Sequence, residues 1–96
     1  MNIEQAREEI KKLEDYIEMI ETYEADTFEK EAIYEYVLIE NVNKVATVLN
    51  ERGHRIGNRK VVGKDVSDII RDKPIDHMHE YAKKLFRLNR KRSNKW

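Results

Sequence analysis

The sequence predicts an all-α protein, and three observations carry that expectation. Residues 3–20 hold an unbroken heptad stripe, apolar residues return at helical spacing in 28–49 and 78–88, and only one Pro and three Gly interrupt 96 residues. The expected architecture is an N-terminal helical hairpin, then a helix-turn-helix-like unit with a short hairpin or extended loop at 54–62, then a C-terminal helix. Two regions share the second helix: an acidic hairpin over 1–52, suited to self-association or partner binding, and a basic unit over 41–96.

The first helix rests on Ile3, Ala6, Ile10, Leu13, Ile17 and Ile20, spaced 3-4-3-4-3. Such spacing builds a seam along another helix, and Ile at a-type positions favours a dimer. The self-association residues read from it are Ile3, Ile10, Leu13, Ile17 and Ile20. Three heptads are too few for a stable isolated coiled coil, so the stripe packs on the next helix, on a second copy, or on both. Tyr23-Glu24-Ala25-Asp26-Thr27 marks a turn, with Asp26 (and Glu29 three residues on) or Thr27 as the cap of the second helix.

That second helix starts at Phe28, and its broad apolar surface predicts burial on more than one side. It runs to Arg52 unbroken or bends near Asn41-Val42-Asn43, and Gly53 ends it. Gly57-Asn58 is a two-residue hairpin signal between β-favouring stretches. A short helix follows from Lys64 to about Arg71, burying Val66, Ile69 and Ile70. Asp72-Lys73-Pro74 breaks it. Pro74 suits the first turn of the last helix, with Asp76 adding favourable charge there. Met78, Tyr81, Leu85 and Leu88 form its inner stripe, and the basic tail from Asn89 to Trp96 is expected to fray.

The net charge is zero, yet residues 1–40 hold thirteen acids and four bases, while residues 41–96 hold fifteen bases and six acids. A polyanion is therefore attracted to the second half and repelled by the first. The candidate nucleic-acid contacts are Arg52, Arg55, Arg59 and Lys60 in the loop, Lys64, Ser67 and Arg71 on the short helix, and Lys83, Lys84, Arg87, Arg90, Lys91 and Arg92 on the last helix and tail. Asp65 and Asp68 sit awkwardly beside phosphates, so the distribution suits backbone contacts better than dense base reading.

Val45-Ala46-Thr47-Val48-Leu49-Asn50-Glu51-Arg52-Gly53, the basic loop, Asp65-Val66-Ser67-Asp68-Ile69-Ile70 and Pro74 (residues 45–74) resemble the helix-turn-helix in the recombinase region of large serine recombinases. The resemblance covers about 30 residues and omits that family's catalytic serine domain. It implies a helix–loop–helix that sits on DNA and not recombination itself. The expected function is a small non-enzymatic DNA-binding regulatory or accessory protein of the kind phages and mobile elements encode, acting on duplex DNA as a homodimer. The competing expectation is an adaptor or inhibitor that binds a host protein through the acidic, Tyr-rich hairpin, where Tyr23 and Tyr34 fall off the main stripes.

No enzymatic chemistry is expected. Ser67 and Ser93 have no arranged base, no phosphate-cradling glycine loop occurs, and no cofactor is implied. His77 and His79 stand two apart where helical zinc pairs stand four apart, so surface or capping roles are expected and no metal. The lack of Cys, of a signal-peptide pattern and of an apolar run of about 20 residues predicts a cytoplasmic protein with no membrane contact. Trp96 is read as a stacking residue or a free end.

Overall fold

Side-chain caps decide where most of the helices begin. The structure, a computed structural model, describes residues 2–93, with side chains to Lys91. Asn2 opens α1 (Ile3–Thr22): its Oδ1 accepts from the Gln5 amide at 2.8 Å while Gln5 Oε1 accepts from the Asn2 amide at 3.2 Å. Of the two cap candidates before α2 (Phe28–Ile39), Thr27 takes the position, accepting from the Lys30 amide at 3.2 Å. Asp26 instead pairs with Lys30 at 3.3 Å.

The second helical stretch bends where the alternative reading placed it. Glu40 adopts the left-handed conformation (φ 56°) and closes α2 by donating its N–H to the Tyr36 carbonyl at 2.7 Å. Asn41 then caps α3 (Val42–Glu51), accepting from the Asn43 and Lys44 amides. At the far end Gly53 (φ 92°) donates to the Asn50 carbonyl and His54 to the Leu49 carbonyl, both at 3.0 Å. This pair of bonds is the Schellman closure expected of a C′ glycine.

Residues 52–62 link α3 to α4 (Gly63–Arg71). Ile56 and Arg59 exchange backbone hydrogen bonds around Gly57-Asn58. Positive φ at Gly57 and not at Asn58 is the pattern of a type II′ turn. The expected hairpin is thus one bridge wide. Asn50 holds this linker to α3 by acting as a strand mimic: its Nδ2 donates to the Val61 carbonyl and its Oδ1 accepts from the Val61 amide, each at 2.8 Å. A helix-turn-helix joins its helices through a 3–4-residue turn; here a longer, internally bonded linker does so.

α5 (His77–Ser93) starts later than expected. Asp76 is its cap, accepting from the His79 amide at 2.8 Å, and Pro74 lies upstream, outside the first turn. The Asp76 carboxylate also accepts from the Tyr23 hydroxyl at 2.8 Å, which ties the α1–α2 turn to the start of α5. α5 is helical to Ser93; residues 94–96, including Lys95 and Trp96, lie outside the described residues, as does the Arg92 side chain.

The core follows from these boundaries. α2 supplies Ala32, Ile33, Tyr36 and Val37; α3 supplies Val45, Ala46 and Leu49; Val61, Val66, Ile70, Met78 and Ala82 complete it. α2 packs against α3, α4 and α5, as its broad apolar surface predicts. α1 is different. It touches this body through Tyr16, Met19 and Ile20, with Tyr23 just beyond its end, and lies along no other helix. The all-α class stands, but the N-terminal hairpin is realised only near its turn. No helix among the described residues is long and apolar enough to cross a membrane.

Candidate nucleic-acid interface

The arginines of the basic loop are engaged within the fold. Arg52, at the C-cap of α3, reaches back to α2 and meets Glu35 at 2.7 Å and Glu31 at 3.2 Å. Glu35 is nearly buried, so this contact supplies the charge partner that a desolvated carboxylate needs. The two carboxylates hold the Arg52 guanidinium above its ordinary pKa, the Glu35 hydrogen bond foremost. His54 Nε2 lies 2.7 Å from the other Glu31 oxygen, and the His54 ring packs on Phe28. Arg55 donates to the His54 and Asn50 carbonyls at 2.6 and 3.2 Å.

Arg59 forms a two-pronged pair with Asp65 at 2.7 and 2.8 Å. Asp65 in turn accepts from the Val62 amide at 2.9 Å and so helps to start α4, whose N-cap Val62 has no side-chain acceptor. The Arg59 hydrogen bonds, followed by the Val62 amide, pull the Asp65 carboxyl down to about 2. Of the loop cations read as nucleic-acid contacts, Arg52, Arg55 and Arg59 are therefore engaged within the fold. Lys60 and the neighbouring Lys64 remain exposed and unpaired among the described residues.

The N-terminal half of α4 is a poor cationic surface. Lys64 is exposed, but Asp65 is neutralised by Arg59, Ser67 is half-buried, and Asp68 is an exposed acid. Gly63 begins the helix hard against α3: a Cβ there would overlap the Asn43 side chain. That close approach positions α4 tightly without turning cations outward.

The other end of α4 and the length of α5 behave differently. At 100° per residue, Lys83, Lys84, Arg87, Arg90 and Lys91 fall within about 120° of the α5 circumference. Among the described residues none of them pairs with a carboxylate. Glu80, one turn before, bounds the face and sits 3.6 Å from His77. Where this face meets α4 there is an open notch of about 210 Å³ lined by Ile70, Arg71, Lys83, Phe86, Arg87 and Arg90.

The notch is braced. Lys83 Nζ donates to the Arg71 and Asp72 carbonyls at 2.9 and 2.6 Å, closing the C-terminus of α4 and placing a positive charge at its negative pole. The Arg71 guanidinium lies over the Phe86 ring at 5.6 Å, so its plane is held by an aromatic face rather than by an acid. His79 fixes the α4–α5 junction beneath: buried, it accepts from the Ile75 amide at Nδ1 (3.2 Å) and donates to the Ile70 carbonyl at Nε2 (3.0 Å).

The structure thus divides the predicted contacts. Arg71, Lys83, Arg87 and Arg90 come together; Lys84 and Lys91 flank them on α5; Arg52, Arg55 and Arg59 are drawn away. Phe86, which forms part of the notch, is not among the contacts read from the sequence. Its signal is its place three residues after Lys83 and one before Arg87, an aromatic amid cations. Such a surface presents several donors and positive charges to one anionic ligand, and no side chain there is arranged as a nucleophile with a base.

The tyrosines fill another role. Tyr23 stacks on Tyr34 (5.7 Å, 15°), Tyr16 packs on Tyr81 at 4.9 Å, and Tyr36 accepts from Asn89 at 3.0 Å. Burial and the Asp76 contact raise the Tyr23 pKa well above its ordinary value. Tyr23 and Tyr34 pack against the core rather than standing as a free aromatic surface. Of the residues read as a self-association seam, Ile20 is half-buried on the body, while Ile3, Ile10, Leu13 and Ile17 are exposed. Compared with known proteins, the chain matches no family model, no curated protein and no solved structure.

Proposed function

We propose that this chain is a non-enzymatic DNA-binding accessory or regulatory protein that grips the phosphate backbone through the α4–α5 notch and the cationic face of α5. The observation that carries this reading is the set Arg71, Lys83, Arg87 and Arg90 around Phe86, which no carboxylate among the described residues neutralises, whereas Arg52 and Arg59 are each paired with acids. Acid-free cationic faces bind nucleic acid by displacing counterions from phosphates. Base reading by the N-terminal half of α4 is not favoured, because Asp65 and Asp68 stand there beside the exposed Lys64, while Arg71, Arg87 and Arg90 gather at the opposite end. Binding is therefore expected to tolerate sequence while depending steeply on salt.

The experiment is a polarisation titration of a labelled duplex with the full chain over a series of salt concentrations. With about four phosphates neutralised, log affinity should fall against log salt with a slope near −3.6. Absence of binding at about 50 mM salt, where phosphate-driven contacts are strong, removes the proposal.

A further inference from the structure

α1 carries an apolar seam that its own chain leaves open. Ile3 is 72% exposed, Ile10 54%, Leu13 61% and Ile17 51%, and all four lie on the one heptad stripe. Four large aliphatic side chains aligned in water along about 20 Å of helix are a standing incentive to association. The charges along α1 say what covers them. Residues 3–12 hold three acids and three bases; residues 13–22 hold Glu14, Asp15, Glu18 and Glu21 and no base. The acid-rich half is the C-terminal half, where the helix dipole is already negative and no basic residue occupies the last turn.

We propose that two copies of this chain pair through α1 in antiparallel orientation. This places the neutral half of each helix, with Arg7, Lys11 and Lys12, along the acidic half of the other. In the register that sets Ile10 against Leu13 of the second copy, Ala6 faces Ile17 and Ile3 faces Ile20. The large Ile17 then fills the space that the small Ala6 leaves. The flanking Arg7 comes beside Glu14 of the second copy, twice by symmetry. A parallel pair does the reverse: Ala6 meets Ala6, the acidic halves lie together, and Glu9 comes beside Glu14 of the other copy. The bodies sit at opposite ends of the antiparallel pair, each with its own notch. With on the order of 1,000 Å² buried in total, the interface is at the weak end of specific association, so a reversible dimer is expected.

The test is sedimentation equilibrium of the full chain without nucleic acid, from low to high micromolar concentration. A monomer–dimer equilibrium is expected, weakened at least tenfold by Leu13→Glu without change in the thermal midpoint of the α2–α5 body. Glu14→Arg separates the orientations. It brings a second guanidinium beside Arg7 in the antiparallel pair and weakens it, but it relieves Glu9 in a parallel pair and strengthens it. Arg7→Glu combined with Glu14→Arg should restore the antiparallel dimer. A chain that stays monomeric at the highest concentration overturns the proposal. So does a dimer strengthened by Glu14→Arg, or an assembly broken by Arg87→Glu and Arg90→Glu but indifferent to Leu13→Glu, which would join acidic and basic halves head to tail.

Discussion

The loop between α3 and α4 and the outer face of α5 are similarly basic in sequence, yet the fold treats them in opposite ways. In the loop, Arg52 meets Glu31 and Glu35, and Arg59 meets Asp65. On α5, Arg87 and Arg90 meet no carboxylate among the described residues, and Arg71 beside them rests on a ring. A count of bases therefore overstates the surface available to a polyanion. A guanidinium engaged bidentately by a carboxylate must give up that pair before it can hold a phosphate, while an unpaired one gives up only water and counterions. Arg52, Arg55 and Arg59 secure the architecture, whereas Arg87 and Arg90 on α5 are exposed and carry no intramolecular ion pair among the described residues.

The comparison breaks most visibly if charge on α5 is reversed. Arg87→Glu with Arg90→Glu should lower duplex affinity at least 100-fold, about 3 kcal/mol, while the thermal midpoint stays within a degree or two. Polarisation and thermal melts together check this. A large fall in the midpoint would move these arginines into the structural class.

The opposite behaviour is expected in the linker. Asn50→Ala strips both partners from Val61 and should cost about 2–3 kcal/mol in urea unfolding, with duplex affinity of the folded protein unchanged. Arg52→Ala leaves Glu35 without its partner and should cost about 1–2 kcal/mol, moderated by the half-exposed position of Arg52. Duplex binding by this variant should match the parent's within about twofold, since one distant charge is screened over about 8–10 Å.

The smallest effect is acid-dependent. Asp65 is held at about 2, below its ordinary value, so the unfolded chain takes up its proton first as pH falls. The stability it contributes is whole above about pH 5 and is lost as pH drops through about 4 toward 2. Asp65→Asn should lower stability at neutral pH and flatten that part of the acid-unfolding profile. A profile identical in shape to the parent's would show that the Arg59 pair contributes nothing.

Local chemistry makes much of the fold legible. Gly53 ends α3 and Gly57-Asn58 turns the linker because both need a positive φ at one position, and few residues supply it. Sequence alone misplaces the start of α5 because Pro74 is an equally good starting signal; only the bonds of Asp76 to the His79 amide and to Tyr23 decide between them. The break at Glu40 has a polar stretch as its clue, but a left-handed glutamate is uncommon and leaves no sequence mark. The division of the cations is hidden for a different reason. Glu31 and Glu35 lie 21 and 17 residues before Arg52, and only the packing of α3 on α2 brings them together. A heptad stripe reads the same whether its partner is in the chain or outside it, so the openness of α1 is legible only in the fold.

The most direct test compares Arg87→Ala with Arg59→Ala in salt-dependent duplex titrations. Each removes one positive charge, so net charge is controlled and only the position differs. The α5 variant should bind more weakly and flatten the salt slope by about 0.9, while the linker variant keeps the parent's slope. Equal losses from both would mean that overall charge, and not the notch, governs binding, and would contradict the division between paired and free cations.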